Sequence, residues 1–181
     1  NGSARTAVYT PSQLREGMNN SEIFESRVIL CDYEHNLHVD LGCMRGIIPR
    51  EEGAEGIREG TARDIAVISR VNKSVCFKVT SIDKDENGAN IAMLSRRLAQ
   101  EECRQRYVNT LRPGDVIKAR VTHIEPFGVF CDIGCGISAL LPIDGISVSR
   151  IPHPSVRLKV NQDIRAVVRS IDDSGRVTLT H

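Results

Sequence analysis

Aromatic side chains are scarce in this chain: Trp is absent, and Phe and Tyr together make up 4% of the 181 residues. A core built on large rings is therefore excluded, and any stretch where rings cluster needs a local reason. Long apolar runs are missing too. None approaches the roughly 18 residues that a membrane-spanning helix requires, so no membrane partner is expected. The six cysteines, at 31, 43, 76, 103, 131 and 135, form no Cys-x-x-Cys pair, which leaves reduced, structural thiols as the expectation. Charge of one sign is also lacking: 24 Lys and Arg stand against 23 Asp and Glu, a net +1 without the strong basic signature of a duplex-DNA binder. Phosphate-loop glycines, Gly-x-Ser-x-Gly and His-Glu-x-x-His are absent, and the five His at 35, 38, 123, 153 and 181 are dispersed. We therefore expect no metal, no cofactor and no catalytic centre. The start lacks an initiator Met and an apolar leader core, which reads as a segment of a non-secreted, cytoplasmic protein.

What is present is ordinary globular composition, 40% hydrophobic and 26% charged, laid out as many short alternating runs. Thr10-Pro11 followed by Ser12 to Gly17 reads as a short helix. Strand-like runs cover 23–31, 37–42, 44–49, 63–70, 74–82 and 90–95, with polar turns at 32–36 and 83–88 and a glycine-punctuated acidic loop over 50–60. The one long helical pattern spans 96–111, with Leu98, Cys103, Tyr107 and Leu111 near helical spacing. Residues 112–181 then repeat the plan of 23–95. Val39-Asp40-Leu41-Gly42-Cys43 returns as Cys131-Asp132-Ile133-Gly134-Cys135, Gly46 to Pro49 as Ala139 to Pro142, and Ser81-Ile82-Asp83 as Ser170-Ile171-Asp172. About five short strands in about 70 residues fit a small closed barrel of the oligonucleotide/oligosaccharide-binding (OB) kind.

Two Phe fall within four positions, in Phe127-Gly128-Val129-Phe130. Simple alternation puts Phe127, Val129, Cys131 and Ile133 on one face and Phe130 on the other, so core packing and surface exposure are both open. A bulge or kink at Gly128 would let both rings reach the outer face. The preceding run places Lys118 and Arg120 outward with Thr122, and His123 in the inward register. Exposed rings beside Lys118 and Arg120 would make a base-stacking platform with phosphate-binding cations next to it. Charge distribution points the same way: residues 1–95 carry net −3 and residues 112–181 net +2.

Taken together, Pro113-Gly114-Asp115-Val116, Ala119-Arg120-Val121, Phe127 to Ile133, Ala139-Leu140-Leu141-Pro142, Val160 to Ile164 and Ile171 to Thr180 resemble the S1 RNA-binding domain, a family named after a ribosomal protein. The resemblance implies a five-stranded antiparallel barrel that binds single-stranded RNA. Carried over position by position, the family's aromatics fall on Phe127 and Phe130, and its acid and base on Asp172 and Arg176. Its usual His is Pro142 here, and the Ser two places on is Asp144. The first repeat matches less well: it carries an insertion around 50–64, has Tyr33, His35 and His38 instead of Phe-Gly-x-Phe, and has Ile91 in place of Arg176. It is expected to bind RNA weakly and to serve as a spacer or docking domain.

The expectation is an all-β chain with an N-terminal lead over 1–22, a divergent S1-like OB barrel over 23–95, a connecting helix over 96–111 and an S1-type OB barrel over 112–181. The implied role is non-catalytic binding of single-stranded RNA or mRNA by an S1-like protein of bacterial translation, with the ribosome or other proteins as further partners. Two other readings stay open: the accessory RNA-binding module of a ribonuclease, and a docking scaffold for proteins.

Overall fold

A computed structural model describes residues 8–147 and 149–181, so the first seven residues of the expected N-terminal lead lie outside it. Helix α1 (Pro11–Asn19) opens with a reciprocal cap. The Thr10 hydroxyl accepts the N–H of Gln13 at 3.2 Å, and the Gln13 side chain accepts the N–H of Thr10 at 2.9 Å. The chain then forms β1 (Ile23–Cys31), β2 (Leu37–Asp40), β3 (Arg45–Ile48), a helical turn α2 (Ile65–Ile68), β4 (Ser74–Lys84) and β5 (Asn90–Ser95). These five strands close in the order β1-β2-β3-β5-β4. Val28, Leu37, Val39, Ile48, Phe77 and Leu94 fill the interior.

Helix α3 (Arg96–Thr110) follows, and the division into two compact units falls inside it, between Glu101 and Glu102. The second unit adds β6 (Val116–Glu125), β7 (Gly128–Asp132), β8 (Ser138–Pro142), β9 (Asp163–Ile171) and β10 (Val177–Thr180), closed in the order β10-β8-β7-β6-β9. Alternation sends Ala119, Val121, Val129, Cys131, Leu141 and Leu179 inward. Within this unit Tyr107 of α3 donates its hydroxyl to the Ile133 carbonyl at 2.6 Å. Burial pushes the Cys131 thiol up to about 11, and burial together with contact to Cys135 pushes Cys103 up to about 12, so both behave as apolar filling.

The structure corrects two expectations of detail. The barrels are not wholly antiparallel: β3 pairs with β5, and β8 with β10, in parallel. Five is an odd number, so strands that alternate in direction cannot close on themselves without one parallel neighbour pair. Within residues 63–70, strand-like by pattern, Ile65–Ile68 forms a helical turn instead. The first barrel already closes with five strands and offers no free edge. Only Val67 of that turn is buried, while Ile65 and Ile68 stay exposed, so tertiary context overrides propensity there.

At Gly128 the backbone of β8 comes so near that a Cβ would stand 2.5 Å from the Leu141 carbonyl oxygen and 2.9 Å from Pro142 Cα. Gly128→Ala is therefore expected to destabilise the second barrel by about 1–3 kcal/mol through backbone displacement. Thermal unfolding followed by far-UV circular dichroism checks it; an unchanged midpoint contradicts the close approach.

Candidate nucleic-acid interface

The outer face of β6, β7 and β8 gathers the rings. Phe130 leaves β7 outward between the buried Val129 and Cys131, and across the ladder it opposes Leu140 on β8 and His123 on β6. Phe127 sits in the turn before β7, 55% exposed, with its ring edge-on to Phe130 at a centroid separation of 6.0 Å and an interplanar angle of 84°. The glycine between them thus serves close strand approach, and the turn itself brings Phe127 to the outer side. On the other flank of Phe130 the His123 ring stacks at 6.3 Å and 26°.

His123 reaches that place through a bulge in β6. The pairing runs Val121 opposite Cys131 and then His123 opposite Phe130, which leaves Thr122 as the extra residue. The Thr122 hydroxyl donates to the Phe130 carbonyl at 3.1 Å and holds the bulge. This overturns the inward register expected for His123. The signal in the sequence was the spacing of Val121 and Ile124, two apolar residues three apart where strict alternation would put them two apart.

A polar row runs beside the rings. Arg120 on β6 lies between Asp132 of β7 and Asp163 of β9 in the ladder. It donates Nε–H to Asp163 Oδ1 at 2.8 Å and a second N–H to Oδ2 at 3.4 Å. That pairing holds the Asp163 carboxyl below its ordinary range and Arg120 above its own. Two residues along, Lys118 opposes Arg165, and these cations line an open groove of about 690 Å³ with Arg120, Asp132 and Asp163. Arg165 was not singled out from the sequence.

Asp172 and Arg176 lie in the β9–β10 turn. Asp172 Oδ1 accepts the N–H groups of Ser174 at 3.0 Å and Arg176 at 2.8 Å and the Ser174 hydroxyl at 2.8 Å. Those bonds, from Arg176 first, lower its pKa and show the side chain shaping its own turn. Arg176 is exposed one residue before Val177, which pairs with Ala139 of β8. The structure thus brings Phe127 and Phe130 together, sets Arg120 and Lys118 on the adjoining part of the same face, and leaves Asp172 and Arg176 in the β9–β10 turn, where the chain enters β10 beside β8.

The corresponding face of the first barrel is furnished differently. Its register, with Leu30 opposite His38 and His38 opposite Ile47, puts His38 where Phe130 stands, Leu30 where His123 stands, and His35 where Phe127 stands. Each His is taken by a carboxylate: His38 Nε2 lies 3.0 Å from Asp32 and His35 Nδ1 lies 2.6 Å from Asp64. Asp64, supplied by the inserted segment, also receives Arg50 through Nη2 at 2.7 Å and Nε at 3.1 Å. Hydrogen bonds from Arg50 and then His35 depress the Asp64 carboxyl to about 2. Ile91 occupies the position of Arg176.

A five-stranded barrel with an exposed ring set against a half-buried one on one sheet face, and cations farther along that face, is the architecture of an oligonucleotide-binding module. Residues 110–181, which contain the second barrel, match the family model described as the S1 RNA binding domain. Curated relatives align with both barrels. The small ribosomal subunit protein bS1 of Staphylococcus aureus (strain COL) is 29% identical over 174 residues, covering 93% of this chain and 41% of that protein. The bS1 of Neisseria meningitidis serogroup B is 31% identical over 174 residues, covering 92% of this chain and 28% of that one. The chain therefore spans well under half the length of these relatives. Among solved structures, the a/eIF2alpha-aDim2p-rRNA complex from Pyrococcus horikoshii aligns with a TM-score of 0.38 and 23% identity, over 39% of this chain and 44% of that one.

The low pKa of Asp64 has a consequence for stability. A carboxyl held near 2 when folded, against about 4 when unfolded, contributes stability above roughly pH 4 that is lost as pH falls toward 2. The stability gap between the parent and Asp64→Asn is therefore expected to close across that window, read as urea midpoints at stepped pH. A gap that stays constant from pH 5 to pH 2 contradicts the pairing.

Proposed function

We propose that the chain binds single-stranded RNA, including mRNA, through the outer face of β6, β7 and β8, as a non-catalytic part of a ribosome-associated, cytoplasmic S1-like protein. The observation that carries this reading is the exposed Phe127 ring set edge-on to Phe130, with Lys118 and Arg165 farther along the same strands past Arg120. An exposed apolar ring gains when a nucleobase covers it, and every base offers a stacking face, so the site tolerates many sequences. Exposed Lys118, Arg165 and Arg176 supply phosphate contacts, whereas Arg120 must exchange or share its Asp163 partner. Among the assigned residues, Phe127 and Phe130 stack bases, Lys118, Arg120 and Arg176 meet phosphates, and Asp172 acts by holding the turn that presents Arg176.

Residues 112–181 form the RNA-binding module in this reading, and 96–111 link it to the barrel of 23–95. The first barrel contributes little RNA affinity, because its two ring positions are histidines already bound to carboxylates and its Arg176 position is apolar. Ile29, Leu30, Tyr33 and Ile65 are exposed in that barrel, an observation that favours a protein-docking role for it as the second reading.

Fluorescence anisotropy with a labelled mixed-sequence RNA tests the proposal. Stacking at about 1–3 kcal/mol per base, with two rings removed, predicts at least about a tenfold loss of affinity for the Phe127→Ala/Phe130→Ala double variant. About three phosphate contacts predict a slope near −2 in log affinity against log salt. Undiminished binding by the double variant contradicts the assignment.

A further inference from the structure

The histidine that the bulge turns outward carries an unassigned chemistry. His123 is 62% exposed at the side chain and stacks on the half-buried Phe130, and its Nε2 lies 2.5 Å from Glu125 Oε1. A carboxylate only accepts, so the ring nitrogen facing Glu125 carries the hydrogen. In neutral imidazole the other nitrogen then holds a lone pair and accepts. That acceptor, Nδ1, belongs to a largely exposed side chain, fixed in tautomer by Glu125 and in position by the Thr122 bulge. Across the rings the position opposite Gly128 is Pro142, whose side chain has no hydrogen-bonding atom.

We infer that His123 is a specificity-determining residue of this face, its free ring nitrogen accepting a hydrogen bond from a donor on the nucleotide stacked at Phe130. The inference rests on the RNA-binding reading above. The donor is a base amino group or the ribose 2′-hydroxyl, both of which lie at the rim of a nucleotide stacked by its face. Stacking on Phe127 and Phe130 provides affinity without reading chemistry, and His123 adds the reading.

The test uses the full chain at pH 8 with four labelled ten-nucleotide probes: oligo(rC), oligo(rU), oligo(dC) and oligo(dU). His123→Phe keeps a stacking ring and removes the acceptor, and its exposed position keeps folding out of the comparison. One hydrogen bond is worth about a 3- to 10-fold preference, so the parent is expected to favour ribo over deoxy probes, or C over U, by that ratio. The first pattern assigns the 2′-hydroxyl and the second the amino group. His123→Phe is expected to erase the ratio while still binding the probes. Parent-like ratios in His123→Phe, or no preference in the parent, overturn the inference. The Phe127→Ala/Phe130→Ala variant separates the two claims: if it loses affinity for all four probes while His123→Phe keeps its ratios, only the His123 assignment fails. If it binds all four like the parent, the RNA-binding reading itself fails.

Discussion

One backbone approach governs what each barrel can present. At Gly128 no side chain stands between β7 and β8, so the two strands pair from the first residue of β7, Gly128 opposite Pro142, and the turn bearing Phe127 lies against the start of the sheet. In the first barrel the same position is Asn36, and pairing begins one residue later, at Leu37 opposite Ile48. The Asn36 side chain instead accepts the N–H of Arg50 at 3.0 Å, which draws in the residue that clasps Asp64. A single exchange of glycine for asparagine thus accompanies two different surfaces on one scaffold: open rings in one barrel, and a closed network of imidazoles, carboxylates and a guanidinium in the other.

Charge is managed to match. Paired carboxylates hold the first barrel's histidines and Arg50, so little cationic character is left for a polyanion on that face. The second barrel spends one cation, Arg120, on Asp163 across the ladder but keeps Lys118 and Arg165 exposed along the same groove. Exposed ion pairs such as Arg120 with Asp163 are screened by solvent and contribute little, so phosphate can compete for that arginine.

Much of the scaffold was legible in the residues. Period-two alternation marked the strands of both repeats, and uninterrupted helix formers marked α3. What escaped was non-local. Ile65-Ala66-Val67-Ile68 has the composition of a strand, but ladder closure by five other strands leaves it no partner, and nothing within those four residues announces that. The ring pair was visible as Phe127 and Phe130, yet their meeting on the outer face depends on where the turn ends and β7 begins. His123 was hidden because the bulge at Thr122 carries no glycine, only the three-residue step from Val121 to Ile124. Likewise Asp163 stands 43 residues from Arg120, so their ion pair could not be read before the barrel closed.

The central claim is that RNA meets the outer face of β6, β7 and β8. Backbone amide shifts of the nitrogen-15-labelled full chain, titrated with a short single-stranded RNA, test it most directly. The account predicts that His123, Gly128, Phe130 and Leu140 move first and most, with the first barrel's Leu30 and His38 nearly still. Shifts concentrated at Leu30, His38 and their neighbours, with the second barrel unperturbed, would contradict it.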